Sequence, residues 1–579
     1  MRRYAALAAL TGILVAGCTS GTSGGSGTTD ASSGNSAGGT LRLLYDRTVT
    51  TWDPQRLAGG AESAVALRTF ARTLTGYPAG ADGRADRLAG DLATDTGSTP
   101  DGGRTWVFTL RIGPAWEDGT PVTCADVRYG IARAFARDQL TGGLPYPSAL
   151  LDVPTQPDPR GAPVPVYPGP YATTDPTATA AFDSAVTCAG QTLTLRLRAT
   201  EPDFPHILAL PVFAAHRADH DRGAAGTLDV FSCGPYRLEA PWEPGSGGRF
   251  VRNPAWTAAS DPLRRAAPEV VDLREGIPVA TIASRLAEDK QPDDTAVSLA
   301  DLPVSTQAAL LADPAIAARV STPASGLVEL LQPNFASTAM GNRAVRVAFA
   351  TATDRTAFAA AYGPRVFTPA YAVLPAAVPG HVDSNPLGVP EAGDPVAARA
   401  ALVAAGIALP VAVRVAYRGS AVADSAFAAL KAGWEEAGFA VTLEAVPDPY
   451  YATVSAPEAA ARFDVFRASW YPDYPEGVAV IPELFDSRLN LTSAGAGQDL
   501  GSFSDPTVNA AIDTSQATLD PAARAAAWAA VDASLVTAGV AVPLGERHRF
   551  FVRGSGVTAY GENPALGGWP DLAAIVVRS

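Results

Sequence analysis

Lysine is nearly missing from this 579-residue chain: Lys290 and Lys431 stand alone among 44 basic residues, and all the others are arginine. With alanine used heavily, this reads as the base composition of a GC-rich bacterial genome, not as chemistry. Positive charge is also in deficit, since 58 acidic residues leave a net charge of −14. That balance argues against nucleic acid and anionic lipid surfaces as partners. Long apolar runs are missing too. Residues 5–16 form a run of about twelve, short of the roughly 20 a spanning helix needs, and no second run approaches that length. The four cysteines include no C-x-x-C, which argues against redox or zinc chemistry. No Ser-His-Asp set, H-E-x-x-H, P-loop or dinucleotide fingerprint stands in a credible setting. A formal G-x-S-x-G at residues 21–25 has no strand before it and no helix after it. His216 and His220 stand four apart beside Asp219 and Asp221, the spacing of a helical metal pair, but the segment reads as a polar surface turn. No catalytic residue, metal site or cofactor is expected.

What is present begins at the N-terminus. Arg2 and Arg3 precede the short apolar run, which ends in Val15-Ala16-Gly17-Cys18. This resembles a bacterial lipoprotein signal: residues 1–17 would be removed and Cys18 lipidated. Residues 18–40 are almost wholly Gly, Ser, Thr and Ala, have little to bury, and read as a flexible tether.

The folded chain follows. Trp106, Phe108, Leu110 and Ile112 alternate with polar or smaller residues, the period of a strand with one buried face. Glu117-Asp118-Gly119 makes a tight turn. Thr123 and Asp126 then open a helix as a capping box, with Val127, Ile131, Ala134 and Phe135 on its apolar face. Later come Ser232-Cys233-Gly234-Pro235-Tyr236 and Arg252-Asn253-Pro254-Ala255-Trp256. Asp394-Pro395, Asp505-Pro506 and Asp520-Pro521 each place Asp at an N-cap and Pro at the first helical position. Residues 411–417, 422–437 and 439–446 read as strand, helix and strand of a βαβ unit. Val345, Phe349, Ala352 and Phe358 share one helical face, which Gly363 ends.

These motifs, in this order, resemble the family 5 extracellular solute-binding proteins, the peptide- and nickel-type receptors of ABC importers. The resemblance implies an α/β, two-lobe, hinged periplasmic-binding-protein-like fold with an extra subdomain in the first lobe. Residues 41–325 would form that lobe, with the subdomain at about 75–200. Residues 326–540 would form the second lobe, and 541–579 would return to the first. It also implies a monomeric, extracytoplasmic receptor, held to the outer face of the cell membrane by its N-terminal lipid only. Its partners would be ABC permease subunits with their ATPases.

Trp470-Tyr471-Pro472-Asp473-Tyr474-Pro475 resembles the family's W-x-x-D-Y-P motif. By that match Asp473 takes a peptide's α-ammonium, and Trp470 and Tyr471 wall the pocket. Gly59 and Gly60 would face the cleft from the first lobe, glycine suiting a close approach of backbones. Setting Cys18 aside leaves an odd number of cysteines. Cys124 and Cys188 lie in the same early subdomain and are the preferred disulfide, with Cys233 a buried free thiol; other pairings stay open. The leading ligand is an oligopeptide. An oligosaccharide, metal chelate or other amine in the same fold is the alternative. A secreted hydrolase or an adhesin is a third reading, the former lacking any visible nucleophile–base pair.

Overall fold

The computed structural model describes residues 38–79, 87–158, 162–172, 175–492 and 497–579. The signal, Cys18 and nearly all of the tether lie outside them. The described chain is built on three main sheets. A five-stranded sheet has the order Ala296–Ser298, Thr40–Leu44, Val270–Arg274, Gly247–Arg252, Tyr236–Leu238. Its first three strands run parallel and the others antiparallel. A three-stranded sheet pairs Thr105–Thr109 with Thr192–Arg196 and then Val186–Ala189. A six-stranded sheet has the order Phe367–Pro369, Val542–His548, Ala324–Pro333, Val465–Trp470, Val411–Arg418, Phe439–Val446.

Local chemistry explains most element boundaries. Thr123 and Asp126 make a complete capping box on the helix Cys124–Arg133. Asp394, Asp505 and Asp520 cap Pro395–Ala404, Pro506–Ala517 and Pro521–Thr537, each accepting from a backbone N–H of the first turn. The parallel pairing of Val411–Arg418 with Phe439–Val446 across the helix Ala421–Glu436 forms the βαβ unit. Cys124 and Cys188 are bonded, with Cα atoms 5.9 Å apart, and Cys233 is free and buried. Closing a loop of 64 residues stabilises the fold by about 4 kcal/mol in the chain-entropy limit.

The sequence motifs of the first half prove to be joints between one another. Glu117 N donates to Ser232 O at 2.8 Å, and Ser232 N donates to Glu117 Oε2 at 2.8 Å. Asn253 Nδ2 donates to Gly234 O at 2.9 Å. Gly234 sits so tightly on the backbone of Thr69 that a Cβ would lie 2.4 Å from its carbonyl oxygen.

Three expectations are corrected. Ile112 lies beyond the strand's end, at Thr109, and is 87% exposed. The helix through Val345 and Phe358 is two helices, Arg343–Thr351 and Arg355–Tyr362, because Asp354 caps the second. The return to the first half does not open at 541. Val542–His548 lies inside the six-stranded sheet, hydrogen-bonded to Ala324–Pro333, and backbone hydrogen bonds to the five-stranded side begin at Phe550. An apolar run suited to strand cannot say which sheet it joins.

Candidate functional site

The strand Val465–Trp470 pairs with Ala324–Pro333 up to Val328–Trp470 and then stops. Pro472 and Pro475 remove the N–H donors that further pairing would need. The released segment, Tyr471 to Tyr474, reaches the edge of the first half. Opposite it, Gly59 and Gly60 open the helix Gly60–Thr69 with φ of 101° and 84°. These glycines are required by their positive φ and not by a close approach. A Cβ on Gly59 would meet nothing within 4 Å, and one on Gly60 only Glu62.

Gly59, Gly60, Tyr471 and Asp473 line one narrow cleft of about 50 Å³, together with Tyr77, Leu144 and Tyr474. The sequence-predicted site is thus largely brought together. Trp470 is the exception. Alternation along the strand turns its side chain away from that of Tyr471, and its indole N–H donates to Ala479 O at 2.7 Å. It braces the turn behind the cleft and does not line the wall.

Asp473 is exposed to the solvent in the cleft, yet the surrounding walls desolvate it. Burial raises its carboxyl above the usual range, opposed by Tyr146 Oη, which donates to Oδ2 at 2.9 Å. Tyr146 comes from the long Pro- and Gly-rich excursion, where no local pattern marked it. Glu483 is raised as well, by burial and then by the Asp473 charge. This end of the cleft is anionic.

Behind it, buried ionisable groups join the two halves. Arg524 Nη2 lies 2.5 Å from Asp203 Oδ1, and His206 Nε2 lies 3.2 Å from Glu476 Oε1. Tyr77 Oη is 2.9 Å from His206 Nδ1. Burial pushes Asp203 and Glu476 up against the pull of Arg524, and takes Glu201 up to about 7. The same burial, then Arg524, takes His206 down to about 4. A neutral imidazole serves both contacts, accepting at one nitrogen and donating at the other.

A larger space of about 480 Å³ lies elsewhere, lined only by residues between Asp53 and Trp242. It belongs to the first half alone, so closure of the two halves cannot enclose it. It contains His216 and His220. His216 is pushed down to about 4 by burial and then by Arg133, while the His220 ring stacks on Phe231 at 3.6 Å. His216 is packed into the wall, while Ala218–His220 is an exposed turn, the polar surface turn expected from the sequence. Among the described residues no group of three or more His, Cys, Asp or Glu could hold a metal ion.

A cleft between two sheet-centred halves, walled by glycine backbone, aromatics and one desolvated carboxylate, is the architecture of a hinged solute receptor. Residues 87–490 match the model of the bacterial extracellular solute-binding proteins, family 5, middle region. The chain belongs to that family. The structure superposes on clavulanic acid biosynthesis oligopeptide binding protein 2 with a TM-score of 0.80 and 31% identity, over 94% of this chain and 96% of that one. It superposes on the unliganded open form of MppA, a periplasmic murein tripeptide binding protein, at TM-score 0.70 and 20% identity, over 94% and 97%. It superposes on DppA from Helicobacter pylori in complex with the peptide STSA at TM-score 0.64 and 14% identity, over 94% and 99%. No match was found among curated protein sequences. The fold is the two-lobe periplasmic-binding-protein fold, and the protein is an extracytoplasmic solute-binding component. No helix among the described residues is long and apolar enough to cross a membrane.

Proposed function

We propose that this protein captures oligopeptides between its halves and delivers them, chemically unchanged, to an ABC permease. Residues 41 to about 325, with the C-terminal return, form one lobe, and the segment between forms the other. The observation that carries the ligand class is Asp473. Its carboxylate is desolvated at one end of the cleft and, among the described residues, has a hydroxyl and no cation as its partner. A peptide α-ammonium supplies that cation. Tyr471 walls the site, and Gly59 and Gly60 offer a backbone that makes no demand on side chains. The relatives named as oligopeptide, tripeptide and peptide-complexed receptors support the same ligand class.

Asp473→Ala should weaken peptide binding by roughly 2–5 kcal/mol, the cost of breaking a desolvated charge pair. Calorimetry with peptides eluted from gently purified protein measures it. Unchanged affinity would remove the ammonium-anchor role. A single non-peptide mass in the eluate would keep the receptor and replace its ligand with a saccharide, chelate or other amine.

Lipidation of Cys18 completes the reading, with residues 19–40 as the tether that lets the body reach a permease. Cys18→Ser should move the protein from the membrane fraction to the soluble extracytoplasmic fraction, read by immunoblot. Retention on the membrane would exclude the lipid as anchor.

A further inference from the structure

The charges around the 480 Å³ cavity of the first half already have partners. Arg133 binds Asp53 through Nη1 at 2.9 Å and Nη2 at 2.8 Å, and binds Asp221 through Nε at 3.0 Å. Asp221 Oδ2 also accepts from Tyr129 Oη at 2.8 Å and from Tyr171 Oη at 2.6 Å. At the rim Arg222 lies 2.7 Å from Asp229, and Glu239 lies 2.7 Å from Arg249. An anion entering here would meet two carboxylates against one guanidinium, and a cation would find their oxygens occupied. The space suits an uncharged guest, and its volume falls in the range of small-molecule sites.

One polar pair is left open. Burial keeps the His216 ring neutral, and its Nδ1 lies 3.3 Å from the donor Arg133 Nη1. Nδ1 therefore accepts, and the ring hydrogen sits on Nε2. That N–H has no hydrogen-bond partner among the described residues. Asp221 Oδ1 faces it at 3.7 Å, too far for a direct bond. Oδ1 accepts from Gly223 N at 2.8 Å, which leaves it a second lone pair. A donor and an acceptor at this spacing are bridged by a hydroxyl, which accepts from Nε2–H and donates to Oδ1. Around them the walls are apolar. Leu228, Val230 and Trp242 line the space, and the His220 ring stacks on Phe231 with centroids 3.6 Å apart. Such walls pack well against the C–H bonds of a ring.

We propose that this cavity is a second ligand site, taking a neutral, polyhydroxylated ring compound of sugar size. One hydroxyl of the guest spans His216 and Asp221, and the C–H face of its ring lies on the apolar wall. The lining falls wholly within residues 53–242, so the site is complete whether the halves are open or closed. It does not depend on what the interlobe cleft holds.

The test uses glucose, N-acetylglucosamine and maltose as neutral probes, with glucosamine and glucuronate as cationic and anionic counterparts. Saturation-transfer NMR on the purified protein reads contact, and titration of the signal gives affinity. The neutral sugars should show transfer to their ring C–H protons, and the charged counterparts should bind about 10-fold more weakly or not at all. His216→Leu should weaken sugar binding about 3- to 10-fold, the effect of one hydrogen bond. His216→Gln, which keeps an N–H donor, should recover part of it. Leu228→Trp fills the space from a half-buried wall position and should abolish binding. Retained peptide binding by each variant shows that it is folded, and Asp473→Ala should leave sugar binding unchanged. Absence of transfer to every neutral sugar overturns the proposal, and tighter binding of either charged counterpart overturns the ligand class. Sugar binding that survives Leu228→Trp and is lost in Asp473→Ala places the sugar in the interlobe cleft and overturns the second site.

Discussion

Asp473 must be ionised to hold an ammonium, and its environment sets the pH at which that fails. Burial raises its pKa, so protonation begins at higher pH than for a solvated carboxylate. Affinity for a peptide should therefore fall on mild acidification, while the protein stays folded. Tyr146 works against this shift by donating to the ionised form. Tyr146→Phe removes that donor and should move the loss of affinity to still higher pH, with the neutral-pH affinity changed less. Titration calorimetry between pH 4 and 8 reads the midpoint. An unmoved midpoint would show that the hydroxyl does not tune the carboxylate. The pair links the excursion of the first half to the second half across the cleft, so one hydrogen bond couples position and charge.

At the scale of elements, the cleft is made where regular structure stops. The strand ending at Trp470 and the helix beginning at Gly60 present their ends to each other, and these ends carry the free backbone groups. Gly59 has φ 101° and ψ −170°, a region essentially reserved for glycine. Gly59→Ala should cost about 1–3 kcal/mol of stability from backbone strain alone. Open space around the site means that no steric clash adds to it. Urea unfolding measures the loss. A variant as stable as the parent would mean that the segment relaxes into another conformation, and its ligand affinity should then change as well.

For the whole molecule, closure is tied to a buried cluster poor in positive charge. Separating the halves hydrates Asp203, Glu476 and Glu201, whose pKa values are raised while they are enclosed. A raised acid holds its proton more tightly in the enclosed state, so enclosure is favoured at low pH and disfavoured as pH rises through the raised value. His206 acts in the opposite sense, but only between about 4 and its ordinary value of 6.5. Between pH 6.5 and 8.5 the acids alone decide the sign. The unliganded protein should open over that interval, seen as an increase in radius of gyration by small-angle scattering. Arg524→Gln leaves Asp203 without its ion-pair partner and should shift the opening to lower pH. A radius independent of pH in both proteins would separate the cluster from the hinge.

Much of this architecture was legible because its causes are local. Asp-Pro pairs cap helices wherever they fold, the capping box at Thr123 needs only Asp126, and alternation in 439–446 defines a strand without knowledge of its neighbours. Asp473 and Tyr471 could be found because they sit in one contiguous motif at a strand's end. The rest depends on contacts between residues far apart in sequence. Tyr146 reaches Asp473 across 327 positions, and Arg68 reaches Asp571 across 503. The direction of the Trp470 side chain follows from a strand register set by Ala324–Pro333, and the place of Val542–His548 follows from the same sheet. The sequence alone determined the elements, their caps, and the carboxylate and glycines available to a ligand. Only the tertiary structure decided which faces meet, that Tyr146 reaches Asp473, and that the halves are joined by buried acids. Solvation and charge coupling depend on distance in space, and that distance is not written in the order of residues.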